Sequence, residues 1–433
     1  MNSKPSLYFY ICINVIILSS IRGFFVFHFD FIPSITYIIS SILLIIMGLI
    51  AAIRLFSRNI RQDVQLFDRA VRYNIVLIGF YNLVSVAYYG ITELSSFYIS
   101  LLFPIIFFFF NKKTFLVHLS IGIIGFVTSL GVFIFYNIAI EQGFSGIEEA
   151  NLKLRPGELM YSRIGENILP AGYQGYHHDA ANILVMVSVY YLILFLTSSS
   201  GKKMIYCLLF ILSTSCLFLT GSTSNLLIYM LIILFIFLFY GKKYIWIFLL
   251  IFIVNLDILS EYTYLLNKLS QEQSDLEHGG VFNSLDFTSF LKSIPSILLG
   301  FGYILKVPLM YSEVAFIKLL ITFGILPFFV LMFILFSPIY YTYKFAKKCD
   351  VKISSIKDNF KLKVILDKKK LVHIKELLLF VTPSVAGSLT LLHYGSLFRI
   401  TSVGLFCLFM VLFFSKYFEV NKEWDSVIKV NVN

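Results

Sequence analysis

The chain has 433 residues, of which 58% are hydrophobic and 14% charged, and its mean hydropathy is +0.85. Soluble domains are roughly half apolar and about a quarter charged, so this composition excludes a water-soluble globular protein. A formal charge of +11 invites a nucleic-acid reading, which the placement of the charges then excludes.

A membrane-crossing helix needs roughly 20 mostly apolar residues. That criterion predicts spans over 7–27, 34–53, 72–92, 95–110, 114–139, 180–199, 204–220, 222–240, 244–260, 311–336, 376–395 and 397–415. The fold class expected is all-α: a polytopic integral membrane protein of about 12 transmembrane helices, one transmembrane domain covering 1–433. The first run lacks a small-residue cleavage site and reads as a membrane helix, not a removed signal. With the N-terminus cytoplasmic, the positive-inside rule places inside all Lys and Arg except Arg22, Lys153, Arg155, Arg163, Lys268, Lys292, Lys306, Lys318 and Arg399. An odd number of helices would break this alternation, so both termini are expected inside. The basic excess then faces anionic lipid headgroups, and no nucleic acid is implied. Its densest part, 343–375, is expected to be a basic cytoplasmic loop carrying a surface helix over 358–370.

The cysteines (Cys12, Cys207, Cys216, Cys349, Cys407) show no metal spacing and no even set in one outer loop. Neither a zinc site nor a disulfide framework is therefore expected, and no metal or cofactor is assigned.

Two long outer segments are left, 140–178 and 261–310, and loops beyond about 15 residues are usually functional or disordered. In the second, 287–299 has the pattern of an amphipathic helix lying at the interface. The first holds Arg155-Pro-Gly157, Arg163-Ile-Gly165 and His177-His178-Asp179. A guanidinium grips phosphate oxygens through a planar fork, and a neighbouring glycine lets backbone N–H groups approach the same anion. Ion pairs with Glu148, Glu149, Glu158 or Glu166 are the plainer account of Arg155 and Arg163. His177 and His178 can bond a phosphate or sugar, or move a proton near neutral pH. Alternatively they are structural, with Asp179 as a first-turn acid. Leu219-Thr-Gly-Ser-Thr-Ser-Asn225 reads as an outer hairpin with a Ser/Thr/Asn cap; a functional version would put hydroxyls at the floor of an outward cavity.

After the second segment, Gly300-Phe-Gly302 precedes Lys306 and Ser312-Glu313. A carboxylate at that depth needs a partner or a substrate. Glu313 is a helix cap or the base that takes a proton from an attacking hydroxyl. Near the end, His393-Tyr394-Gly395 leads to Arg399, which either contributes to the site or snorkels to the outer headgroups; Arg22 carries the same two readings.

These elements, in this order, resemble the O-antigen and capsular polysaccharide polymerase (Wzy) group, which is related to the O-antigen ligases. Topological similarity covers most of the chain. Motif similarity is confined to Arg163-Ile-Gly165 through His178-Asp-Ala-Ala181, Leu219-Thr-Gly-Ser222, Gly300-Phe-Gly302 through Glu313 and 319–324, and His393-Tyr394-Gly395. Where a ligase carries a His-Asn pair, this chain has Ser312-Glu313, which favours polymerase over ligase. The resemblance implies a multi-span, metal-independent, inverting glycosyltransferase (GT-C-like) of the bacterial cytoplasmic membrane. Its substrate would be undecaprenyl-pyrophosphate-linked oligosaccharide on the outer leaflet, and its partners a flippase or chain-length regulator. On that expectation Arg163 and Arg399 hold pyrophosphate, Arg155 and Lys306 add supporting charge, His177 and His393 contact substrate, and Glu313 or His178 is the base. The competing class is a lipid-linked oligosaccharide flippase or other carrier, which should show two similar halves and charges deep in its spans.

Overall fold

A computed structural model describes residues 7–89, 103, 106, 114–154, 163–164, 167–168, 170–240, 246, 253, 319–320, 323–354, 360–392 and 400–432. In chain order the helices are α1 (Leu7–Phe29), α2 (Pro33–Ser57), α3 (Gln65–Tyr89), α4 (Phe115–Leu154), α5 (His177–Thr197), α6 (Ser200–Leu219), α7 (Thr223–Tyr240), α8 (Ile325–Ser354), α9 (Phe360–Leu391) and α10 (Ile400–Val432). Between α4 and α5 lie two short antiparallel strands, β1 (Arg163–Ile164) and β2 (Asn167–Ile168), and a 3-10 turn, Gly172–Gln174. Among the described residues, eight helices are long and apolar enough to cross a membrane, with a shorter apolar helix over Ser224–Leu238. The protein is a polytopic, helical membrane protein. The spans expected at 95–110 and 244–260 lie almost entirely outside the described residues, as does the outer segment 261–310.

Helices dominate because a backbone surrounded by hydrocarbon must satisfy its N–H and C=O groups within its own segment. The outer helix α2 shows the lipid-facing pattern: Ile35, Ile38, Ile42, Ile46, Leu49 and Ile53 recur three or four residues apart and are all exposed, as one helix face requires. At the opposite extreme, α5 and α10 are 78% buried over their spanning windows and form the centre of the bundle. Polar side chains join the central helices. Ser188 Oγ donates to Ser213 Oγ (3.0 Å, α5 to α6), Thr214 and Tyr229 hydroxyls meet at 2.7 Å (α6 to α7), and Ser388 Oγ donates to the Leu335 carbonyl (2.7 Å, α9 to α8). Such contacts contribute roughly 0.6 kcal/mol each between membrane helices.

Several basic residues meet where the α2–α3 connection approaches α8 and α10 at one end of the bundle. There the fully buried Asp68 carboxylate of α3 accepts from Arg58 (2.8 Å), Arg72 (2.7 Å) and the Arg61 backbone N–H (3.2 Å). Burial pulls the Arg58 guanidinium below its ordinary value, and the Asp68 charge opposes that shift. The stretch 343–375, expected as a loop with a surface helix over 358–370, is helical wherever it is described: α8 runs on to Ser354, and α9, which takes in most of the expected helix, begins at Phe360. Lysine is a good helix former once its head reaches water, and ion pairs across the projecting ends hold them in place: Lys348 with Asp425 at 2.8 Å, and Lys370 with Asp350. For the same reason α10 continues far past the expected end at 415.

Candidate functional site

The site is assembled where the segment 140–178 meets the start of α5. Within this segment the described residues are helical, strand or turn for the most part. Helix α4 continues through it to Leu154, broken only at Gly143, whose φ of 66° falls in the left-handed region. Beyond Leu154, β1 and β2 pair Arg163 with Ile168 and Ile164 with Asn167, and β2 lies against α4.

The chain then turns back into the bundle. The Gly172–Gln174 turn packs against α1, α4 and α5, and Gln174 Nε2 donates to the Ser20 carbonyl (3.1 Å) and to Thr128 Oγ1 (3.4 Å). Two glycines make the groove that admits it. A Cβ on Gly23 would overlap the Tyr173 carbonyl oxygen, and one on Gly131 would stand 2.9 Å from the Tyr173 backbone nitrogen. Tyr173 is ringed by Phe24, Phe27 and Phe135, and its hydroxyl meets His28 Nε2 at 2.5 Å. From Ser20, α1 runs on to Phe29, about 14 Å at 1.5 Å per residue, so the turn lies well below the Phe29 end of α1. Non-helical backbone at such depth is tolerated only when it is buried in protein or lines a water-filled cavity.

From this clasp the chain leaves through Tyr176, extended at φ −132°, and starts α5 with His177-His178-Asp179. Asp179 is buried in the first turn, where the helix dipole favours a carboxylate, and Asn182 is buried one turn further in. The rings of His177 and His178 stand 3.8 Å apart, centroid to centroid. His178 Nδ1 is 3.0 Å from Ser222 Oγ, and Asn225 Nδ2 donates to that same oxygen at 2.9 Å. Ser222 lies in the tight α6–α7 turn, made possible by Gly221 at φ 65°. Its carbonyl accepts the first backbone bond of α7, from Leu226 N–H. With Nε2 protonated, His178 accepts the Ser222 hydroxyl proton; in the other tautomer it donates to Ser222.

Two of the sequence-predicted patches therefore meet: His178 and the Leu219–Asn225 turn, 44 residues apart. Arg163 sits on β1, a few residues before the clasp. Arg155, Lys306, Glu313, His393 and Arg399 lie outside the described residues. The sequence reading gave the Leu219–Asn225 turn two roles, a capped hairpin or hydroxyls lining an outward cavity, without naming His178 as the partner of Ser222, and it missed His28, Tyr173 and Gln174 altogether. No local signal marks those three, since their partners are up to 154 residues away. Among the described residues no group of three His, Cys, Asp or Glu side chains is arranged to hold a metal ion.

In comparisons with family models, with curated proteins and with solved structures, nothing matches this chain.

Proposed function

We propose that the protein is a polymerase of lipid-linked oligosaccharide repeat units, acting on the outer leaflet of a bacterial cytoplasmic membrane. A hydroxyl oxygen of the incoming repeat unit attacks the anomeric carbon of the growing chain. The bond from that carbon to undecaprenyl pyrophosphate breaks, with its electron pair leaving on the pyrophosphate oxygen, and configuration inverts. The hydroxyl proton passes to a base, His178 or Glu313. Pyrophosphate is already a good leaving group, so the demands on the protein are positioning and charge neutralisation. Arg163 and Arg399 meet the pyrophosphate, Arg155 and Lys306 reinforce the local charge, and His177 and His393 contact the substrate.

The observation that carries this reading is the His178–Ser222–Asn225 chain. It joins two patches of the polymerase resemblance in one polar turn, immediately after a clasped segment that begins at the Arg163 hairpin. An imidazole held by a hydroxyl that is itself held by an amide is oriented for proton transfer, which contributes about 10²–10⁴-fold to rate.

Arg163→Ala is expected to abolish long glycans while the protein still inserts in the membrane, with single lipid-linked repeats accumulating on the outer leaflet. Normal polymer would remove Arg163 from the site; repeats trapped on the inner leaflet would mark the protein as a flippase. Because the leaving group needs no Lewis acid, a chelator should leave polymer length unchanged in proteoliposomes. Activity lost to the chelator and restored by a divalent cation would count against this chemistry.

A further inference from the structure

At the basic end of the bundle, far from the His178 turn, there is a cavity of about 830 Å³ between the α2–α3 connection, α8 and α10. It is lined by Arg61, Lys344, Lys348 and Lys422, by Asp63, Glu419 and Asp425, and by Tyr417, Phe418 and Ser415 among others. The acids are already engaged. Asp425 pairs with Lys348 at 2.8 Å, Glu419 pairs with Lys416 at 3.1 Å, and Asp63 is 3.6 Å from Arg61. Lys344 and Lys422 have no carboxylate of the described residues at ion-pairing distance; Lys344 instead lies over the Tyr341 ring. Arg61 is spread over Phe418 at 4.6 Å from the ring centroid, which fixes the guanidinium plane. The Ser415 hydroxyl is buried without a hydrogen-bond partner among the described residues. The cavity therefore offers two ammonium groups with no acidic counterpart among the described residues, a positioned guanidinium and a buried hydroxyl, the donor set that a phosphate group takes.

Depth identifies the source of that phosphate. Measured along α10 from Ile400, Ser415 lies about 22 Å in and Ser426 about 39 Å in, at 1.5 Å per residue. With α10 entering the hydrocarbon near Ile400, a core about 30 Å thick ends between these two residues, which puts the cavity at the boundary between acyl chains and headgroups. Basic pockets among membrane helices at that level hold anionic lipid headgroups. We infer that this cavity is a specific site for the phosphate headgroup of an anionic lipid, held by Lys344, Lys422 and Arg61, and separate from the site proposed for glycan transfer.

The test is native mass spectrometry of the purified full-length protein in detergent micelles titrated with phosphatidylglycerol or phosphatidylcholine. Phosphatidylglycerol should bind stoichiometrically, at least tenfold more tightly than phosphatidylcholine. Lys344→Gln/Lys422→Gln should weaken it about tenfold or more, while Lys202→Gln/Lys203→Gln, which neutralises two lysines that do not line the cavity, should not. Matching unfolding midpoints of the two double variants in phosphatidylcholine micelles certify that both are folded. Three results would overturn the inference: equal affinity for the two lipids, equal loss in both double variants, or soluble glycerol 3-phosphate displacing the lipid at similar concentration. The last would reassign the cavity to a soluble phosphate ester.

Discussion

Replacing Gly23 by alanine tests whether the buried turn at Gly172–Gln174 is a fixed part of the bundle. The new methyl carbon would stand 2.9 Å from the Tyr173 carbonyl carbon and overlap its oxygen. Non-bonded carbons settle at about 3.5 Å, so the turn has to withdraw by roughly 0.6 Å or more, and both contacts are backbone atoms that cannot rotate away. Overpacking of this kind costs about 1–3 kcal/mol. Withdrawal also strains the Gln174–Ser20 and Tyr173–His28 hydrogen bonds, at about 1 kcal/mol each. Alanine returns up to about 1 kcal/mol in helix propensity, leaving a net loss of about 2 kcal/mol or more. Gly122→Ala is the control: it gains the same propensity, and a Cβ there meets nothing within 4 Å. Unfolding midpoints measured in detergent micelles should therefore fall for Gly23→Ala and hold or rise for Gly122→Ala. On the proposed function, glycan length should shorten only in the former, because the displaced turn carries the start of α5 with it. A Gly23→Ala protein as stable as Gly122→Ala would refute the clasped geometry.

At the basic end, Asp68→Asn removes the charge that two arginines share. Breaking a buried pair costs about 3–5 kcal/mol; the Arg58 side chain is 31% exposed, so the low end of that range is expected. Asp63→Asn, at a carboxylate 66% exposed, should change the midpoint by no more than about 0.5 kcal/mol; equal effects in the two variants would contradict the buried-triad account. On the proposed function, Ser222→Ala in the α6–α7 turn should slow glycan transfer about tenfold if His178 acts through it, and His178→Ala about 10²-fold or more. The double variant should then be no slower than His178→Ala, whereas multiplicative losses would show that the two residues act independently.

Composition and hydropathy determined much of this protein by themselves. Apolar runs bounded by Lys and Arg dictate lipid-embedded helices because the backbone has no other way to satisfy its hydrogen bonds in hydrocarbon. Hence α1, α2, α5, α6 and α7 begin and end within a few residues of the expected spans. The same logic expected a helix within 343–375 only over 358–370, whereas α8 and α9 cover all of that stretch that is described. Hydropathy detects where a helix leaves the lipid, not where it stops, and α8, α9 and α10 run on through lysine-rich sequence because their ends pair with one another. Legibility of the candidate site was likewise divided. His178 stood out as an imidazole doublet at the mouth of a span, but Ser222 and Asn225 have the residue types of any helix cap. Only packing α5 against the α6–α7 turn brings His178 to Ser222. Likewise, only the groove left by Gly23 and Gly131 draws Tyr173 and Gln174 inward. Sequence periodicity specifies which face of a helix is apolar. Contacts between residues 44 to 154 positions apart depend on how the helices settle against each other, and that the tertiary structure alone decided.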